Sequence, residues 1–222
     1  MKYIIVTKVK WNKQNFETLN SSFKTFSNIK INKIRKISPN IIFFIHWSKK
    51  IPSSIFNKYL CIQFHSSDLP KFRGGSPIQN QIIAGKKKTK ISAFRVSNKI
   101  DSGEICLKKN LVLKGSANEI YKRMEKITIS MIKSLSKKRK IIFYKQKGKP
   151  TYFKRRKIYE SELNLSKNNL KGIYDFIRML DAYNYPKAFV NLKKYKVLFQ
   201  DAKLLKNNEL KGVFKIVTNK NN

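Results

Sequence analysis

Leu60-Cys61-Ile62-Gln63-Phe64-His65-Ser66-Ser67-Asp68-Leu69-Pro70 is the stretch that decides how this chain is read. Leu60 to Phe64 is apolar apart from Gln63, with the aromatic and β-branched content of a strand buried in a sheet. It then breaks off into four polar residues. Upstream, Ile41-Ile42-Phe43-Phe44-Ile45 is a second continuous apolar strand, and Tyr3 to Lys8 is a shorter one. Between these strands, Phe16 to Phe26 has the spacing of a weak amphipathic helix. Ile51-Pro52-Ser53-Ser54 reads as a helix start with Ser53 or Ser54 as cap. Strands without a polar face, alternating with helices, predict an α/β fold: a Rossmann-like, mostly parallel sheet flanked by helices. Sheets of this kind carry their chemistry at the carboxyl ends of the strands, which is where His65-Ser66-Ser67-Asp68 falls.

Further along, Leu69-Pro70-Lys71-Phe72-Arg73-Gly74-Gly75-Ser76-Pro77 gathers two prolines and a double glycine into a tight loop. Ser76 as cap and Pro77 at the first helical position predict a helix over Pro77 to Ile83, closed by Gly85. Lys90 to Val96 and Glu104 to Lys108 read as strands around an Asp101-Ser102-Gly103 turn. Ser116-Ala117-Asn118-Glu119 is a capping box that opens a helix with Ile120, Met124, Ile127, Met131 and Leu135 on one face. A strand is expected at Ile141 to Lys145, a helix at Leu170 to Leu180, and short strands at Ala188 to Leu192, Lys196 to Phe199 and Gly212 to Val217. The division expected is a catalytic domain over residues 1–150 and a small helix and β module over 151–222.

Composition narrows the function class. Of 222 residues, 41% are hydrophobic and 12% aromatic, so a core can form and the disordered and collagen-like classes are excluded. Ile41 to Ile45 is far too short to cross a bilayer, and the first residues lack the apolar segment of a secretory signal. Cys61 and Cys106 are the only cysteines and suit a reducing cytoplasm. With two histidines and two cysteines, the chain offers no recognisable metal ligand set. Gly-x-Gly-x-x-Gly is absent, so nothing supports a dinucleotide site. Fifty Lys plus Arg against 12 Asp plus Glu give a formal charge of +38, which suits phosphate-bearing partners. Only eight of the 50 are Arg, however, and Ile, Asn, Phe and Tyr are plentiful, as AT-rich codons would produce. Most of that charge is therefore a solvated Lys face. Local basic clusters, Lys137-Lys138-Arg139-Lys140 and Lys154-Arg155-Arg156-Lys157, stand out from it.

The His65-Ser66-Ser67-Asp68-Leu69-Pro70 run, with Arg73-Gly74-Gly75-Ser76-Pro77-Ile78-Gln79 after it, resembles the His-x-Ser-x-Leu-Pro and Arg-Gly-x-x-Pro-x-Gln signature of the folate-dependent formyltransferases. Ile100-Asp101-Ser102-Gly103-Glu104-Ile105 resembles that family's second signature, an Asp-x-Gly turn. The resemblance implies transfer of a formyl group from N10-formyltetrahydrofolate to an amine, without a metal. Such a transfer passes through a tetrahedral oxyanion and needs a preorganised donor. His65 is the residue implied for that donor, with Asp101 holding it charged and relaying the amine proton. The family carries Asn where this chain has Gln63. Gln presents the same amide one methylene further out, and Asn80 is another amide that could take its place. On bare pattern, His65 could equally be a hydrogen-bonded structural residue, Asp101 a turn former, and Arg73-Gly74-Gly75-Ser76 a tight turn with a cap.

The folate side implied by the resemblance comprises His46, Trp47, Val96 and Ile100, with His46-Trp47 read as pocket wall. The acceptor side comprises Arg73, Gly74, Gly75, Gln79, Asn80, Arg155 and Arg156. Arg178 is a further candidate phosphate contact. About sixty residues follow Arg156, fewer than a complete OB-type barrel needs. Trp11-Asn12-Lys13-Gln14-Asn15-Phe16 is similar to the start of short formyltransferase-like proteins of surface-sugar synthesis. The acceptor expected is therefore the primary amine of a nucleotide-linked amino sugar, with methionyl-tRNA as the alternative. A catalytically impaired folate or nucleotide binder stands behind both. A cytoplasmic location and no membrane partner are expected; the oligomeric state is open, a homodimer included.

Overall fold

A computed structural model describes residues 1–8, 16, 19–166, 168–183 and 185–219. Trp11 to Asn15 lie outside the described residues. Five strands of the main sheet follow directly from the apolar runs: β1 (Tyr3–Thr7), β3 (Ile41–Ile45), β4 (Leu60–His65), β6 (Lys88–Arg95) and β7 (Ile105–Val112). The sixth is β2 (Phe23–Phe26), where the sequence spacing predicts helix. Its residues pair in parallel with β1, Tyr3 opposite Phe23, and the Tyr3 and Phe23 rings stack at 4.7 Å. Sheet pairing and that ring contact override a weak helical period. Two further strands are only two residues long, β5 (Arg73–Gly74) and β8 (Tyr152–Phe153).

Strand order is β2-β1-β3-β4-β6-β7. Strands β2, β1, β3 and β4 are parallel, and β6 runs antiparallel to β4. The register aligns Phe44 with Gln63 and Gln63 with Phe94. Alternation then sorts the side chains onto two faces. One face builds a core cluster of Ile4, Val6, Ile42, Phe44, Trp47 and Cys61, roofed by Ile34 of α1 (Ile31–Ile37) and Ile55 of α2 (Ser53–Phe56). The other carries Tyr3, Phe43 and Phe64, whose rings lie 6.1–6.2 Å apart in sequence across the strands. The N-cap of α2 is Pro52 and makes no side-chain bond, so the seryl cap expected there does not form; Ser53 is already helical.

The chain groups into two compact units. The first comprises Met1–Gly75, Thr89–Leu111 and Met124–Tyr152; the second comprises Ser76–Lys88, Val112–Arg123 and Phe153–Asn222. The helix α4 (Ala117–Ser136) opens on the expected capping box, with Glu119 N–H donating to Ser116 Oγ at 3.3 Å and Ser116 N–H to Glu119 Oε2 at 2.8 Å. Ile141 to Lys145 is not a strand: only an isolated bridge from Tyr144 to Ile105 forms there. In the second unit, α3 (Pro77–Ile83) begins at Pro77 and is followed by Gly85 in the left-handed region, both as expected. Its predicted cap Ser76 is left-handed and makes no capping bond. The helix α5 (Leu170–Leu180) starts on Asn169, whose side chain accepts from Gly172 N–H at 2.8 Å. Strands β9 (Ala188–Leu192), β10 (Tyr195–Leu204) and β11 (Leu210–Thr218) form a three-stranded antiparallel sheet. Among the described residues no helix is long and apolar enough to cross a membrane.

Phe43 is fully buried between Tyr3 and Phe64. Phe43→Ala should cost ~3–5 kcal/mol of unfolding free energy, because the lost ring leaves a cavity the flanking strands cannot close. Urea denaturation of the two proteins measures it.

Candidate active site

His65 is the last residue of β4, 7% exposed. Its Nδ1 lies 3.5 Å from Asp101 Oδ2, and its Nε2 lies 2.7 Å from the Phe72 carbonyl oxygen. A carbonyl can only accept, so Nε2 carries a proton. The second neighbour is also an acceptor, so both ring nitrogens face oxygen. Sequence patterns could not bring these groups together, since they lie 36 positions apart in the chain. The fold does so by ending β4 beside the turn between β6 and β7.

Asp101 sits at φ 49°, a left-handed conformation that Asp tolerates better than most residues. Its Oδ2 also accepts the Gly74 N–H at 2.8 Å, so one carboxylate ties the Arg73–Gly74 loop to the Asp-Ser-Gly turn. Gly103 explains the glycine of that turn. A Cβ there would lie 1.7 Å from the Arg95 carbonyl oxygen, a backbone atom that cannot move aside. The loop after β4 is pinned as well: Ser67 Oγ donates to Lys71 O at 2.6 Å, and Ser92 Oγ donates to Ser67 O at 2.7 Å.

Gln63 is half-buried and donates its amide to the Trp47 carbonyl at 3.2 Å. Of the residues implied for the folate side, Trp47 and Val96 are buried in the same core cluster, and the Lys8 ammonium lies 5.5 Å from the Trp47 ring centre. His46 is half-buried at φ 48°, and burial lowers its imidazole to about 4, leaving it neutral near pH 7. Ile100 is 69% exposed. Beside the Asp101 turn, Arg95, Ser97, Asn98, Lys99, Ser102, Gly103 and Glu104 line an open cavity of about 410 Å³. That volume falls within the range of small-molecule sites.

The residues expected on the acceptor side divide by unit. In the first, Arg73 is 8% exposed and donates to Tyr152 Oη and Gln146 Oε1, both at 2.7 Å, so its fork braces the loop. Gly74 holds Asp101, and Gly75 continues the same loop. In the second unit, Gln79 is buried and donates to Tyr121 Oη at 3.0 Å and Met179 O at 3.1 Å, anchoring α3. Burial pushes the Tyr121 hydroxyl up to about 12. Asn80 is half-buried on α3. Arg155 is exposed. Arg156 is half-buried, donating its backbone N–H to Ser76 Oγ at 3.2 Å and its guanidinium to Glu160 O, with Phe176 beneath it at 5.8 Å. Arg178 is not a surface phosphate contact: it is buried, with Nε on Asp175 Oδ1 at 2.6 Å and Nη1 on Leu113 O and Gly115 O. Two residues that sequence reasoning passed over, Gln146 and Thr151, also touch this first-unit site. Gln146 Nε2 donates to Asp101 O at 2.9 Å and Gly103 O at 2.8 Å. Thr151 Oγ1 accepts the Phe72 N–H at 2.8 Å, and its carbonyl accepts the Arg73 N–H at the same distance. A single uncharged amide between Lys145 and Lys147 was the one local sign of Gln146. Among the described residues no group of three or more His, Cys, Asp or Glu side chains could hold a metal ion.

Against known proteins, a family model described as "Formyl transferase" matches residues 5–134. The chain belongs to the formyl transferase family. A second model, described as the methionyl-tRNA formyltransferase C-terminal domain, matches residues 158–217. A solved structure, methionyl-tRNA formyltransferase from Clostridium thermocellum, is 41% identical with a TM-score of 0.92, over 99% of this chain and 100% of that one. The curated methionyl-tRNA formyltransferase of Thermodesulfovibrio yellowstonii is 29% identical over 190 residues, 82% of this chain and 61% of that protein. The chain thus spans about three-fifths of that relative's length. A sugar N-formyltransferase from Shewanella sp. shares the fold, at 17% identity and a TM-score of 0.63 over 96% of each chain.

Two consequences are measurable. Gly103→Ala should cost ~3 kcal/mol or displace the Asp101 turn, since the added methyl meets backbone; an unchanged melting curve and an unchanged Asp101 environment would contradict the packing seen here. The low value at His46 means that the unfolded chain binds a proton there between about pH 6.5 and pH 4 while the folded chain does not. The associated stability is complete above that window and is lost as pH falls through it, by up to roughly 3 kcal/mol. His46→Asn, which keeps a side chain tolerant of positive φ, should remove that part of the pH dependence in denaturation curves measured from pH 7 to pH 4.

Proposed function

We propose that this chain transfers the formyl group of N10-formyltetrahydrofolate to the amino group of methionyl-tRNA, in the cytoplasm. The amine attacks the formyl carbon, a C–N bond forms, and the carbonyl oxygen becomes an oxyanion. The amine then loses a proton, the bond to N10 of the folate breaks, and N10 leaves as an amine after taking up a proton. His65 is the donor for the oxyanion, its incoming oxygen replacing one of the two acceptors that the ring now faces. Asp101, aligned by the Gly74 N–H, keeps the ring charged and takes the amine proton. The cavity beside Ser102 and Gly103 is the place for the folate, within reach of the same turn.

The observation that carries the choice of acceptor is the 41% identity to the Clostridium thermocellum methionyl-tRNA formyltransferase along the length of both chains. It favours methionyl-tRNA, the alternative acceptor, over the nucleotide-linked amino sugar expected first. That expectation rested on the small C-terminal module and on the likeness of Trp11 to Phe16, and a protein described as acting on methionyl-tRNA matches this chain over 99% of its length, the module included. The match of residues 158–217 to the C-terminal domain of that enzyme points the same way. The exposed residues Lys137–Lys140, Lys154, Arg155 and Lys157 then suit an RNA backbone.

Incubation with N10-formyltetrahydrofolate and methionyl-tRNA, followed by mass analysis of the esterified amino acid, should yield formylmethionyl-tRNA. His65→Ala should lower turnover by about 10²–10³-fold. Transfer to nucleotide-linked amino sugars with none to methionyl-tRNA would overturn the assignment.

A further inference from the structure

Both acceptors that hold His65 are themselves held by one short segment of chain. Phe72, whose carbonyl faces Nε2, has its own N–H bonded to Thr151 Oγ1. Asp101, which faces Nδ1, has its carbonyl bonded to Gln146 Nε2. The second hydrogen of that amide goes to Gly103 O, and its oxygen accepts from Arg73 Nη2. Gln146 therefore satisfies three polar groups from two loops with one side chain. Its donors fix the Asp-Ser-Gly turn, and its acceptor fixes the Arg73 fork next to Gly74, the residue that donates to the Asp101 carboxylate. Thr151 closes the circuit on the other side through Phe72 N–H and Arg73 N–H.

We propose that Gln146 and Thr151 are positioning residues, a strap that sets the distance and orientation of Asp101 and Phe72 on the two nitrogens of His65. The proposal rests on the reading of His65 and Asp101 as the transfer site. The three bonds use both donors and the acceptor of the Gln146 amide. Glu would keep the acceptor for Arg73 but set a carboxylate against the carbonyls of Asp101 and Gly103. Ala would leave both carbonyls without their donor and Arg73 with one partner fewer. Leaving Asp101 free to shift by as little as an ångström is enough to spoil a donor aligned on a reacting atom.

The test compares Gln146→Ala, Gln146→Glu and Thr151→Val with the parent chain. Formyl transfer should fall on the order of 10²-fold in kcat for both Gln146 variants, with KM for methionyl-tRNA changed far less. Thr151→Val, which keeps the side-chain shape, should lose less. In an Asp101→Asn background, Gln146→Ala should add little further loss, because the two act through one histidine. A full additional loss, or an unchanged kcat in a folded Gln146→Ala protein, overturns the strap. Ring ¹⁵N shifts of His65 provide a readout that needs no turnover, and the chain has only two histidines to assign. They should move in Gln146→Ala and stay near the parent values in Lys149→Ala, an exposed site on the same segment. If the parent chain transfers nothing to methionyl-tRNA yet these shifts move, the acceptor assignment fails and the strap stands; shifts unchanged by Gln146→Ala overturn the strap whatever the turnover.

Discussion

One carboxylate oxygen organises the candidate active site. Asp101 Oδ2 accepts the Gly74 N–H and faces His65 Nδ1, so the loop after β4 and the turn after β6 meet on a single atom. A buried charge is costly unless hydrogen bonds compensate it, and here the Gly74 N–H and the facing imidazole are the polar partners. The same requirement explains the residues around it. Gly103 is there because the turn must lie against the Arg95 carbonyl, and the left-handed φ of Asp101 lets the carboxylate point back toward the loop.

The main sheet delivers the histidine to that atom. Four parallel strands bring His65 to a carboxyl end, and the turn between β6 and β7 brings Asp101 to it. Burial of Ile42, Phe44, Cys61 and Trp47 on one face and Tyr3, Phe43 and Phe64 on the other holds β4 rigid along most of its length. Rigid strands allow a site to be accurate to fractions of an ångström, whereas the loops that complete it need side-chain ties such as those from Ser67, Ser92, Arg73 and Gln146. Arg73 is instructive in this respect. It belongs to the signature loop, yet its guanidinium is internal, bracing the loop instead of facing an acceptor.

Much of the fold was legible in residue order because burial on both faces leaves an unbroken apolar run, as at Ile41–Ile45 and Leu60–Phe64. Part of the turn and cap chemistry was legible because Pro77, Gly85 and the Ser116 to Glu119 box act through local backbone geometry, whereas the caps expected at Ser53 or Ser54 and at Ser76 do not form. Edge pairing was not. Phe23–Phe26 has the spacing of a helix and becomes a strand because β1 offers it a ladder and Tyr3 a ring to stack on. The reverse happened at Ile141 to Lys145, where an apolar run found only one bridge.

Taken alone, the amino-acid order determined an α/β sheet, the position of His65 at a strand end and the likeness to a family of formyl transferases, since each depends on local pattern or on motifs read within a few residues. The charge of +38 it determined only as a total. Tertiary structure decided what each polar group does. It set His65 between Asp101 and Phe72, turned Gln63 to the Trp47 carbonyl, buried Arg178 against Asp175, and drew Gln146 from a basic stretch onto the Asp101 turn. Hydrogen bonds over distances of 7 to 45 residues have no signature in sequence spacing, because their geometry exists only once the strands between them have paired.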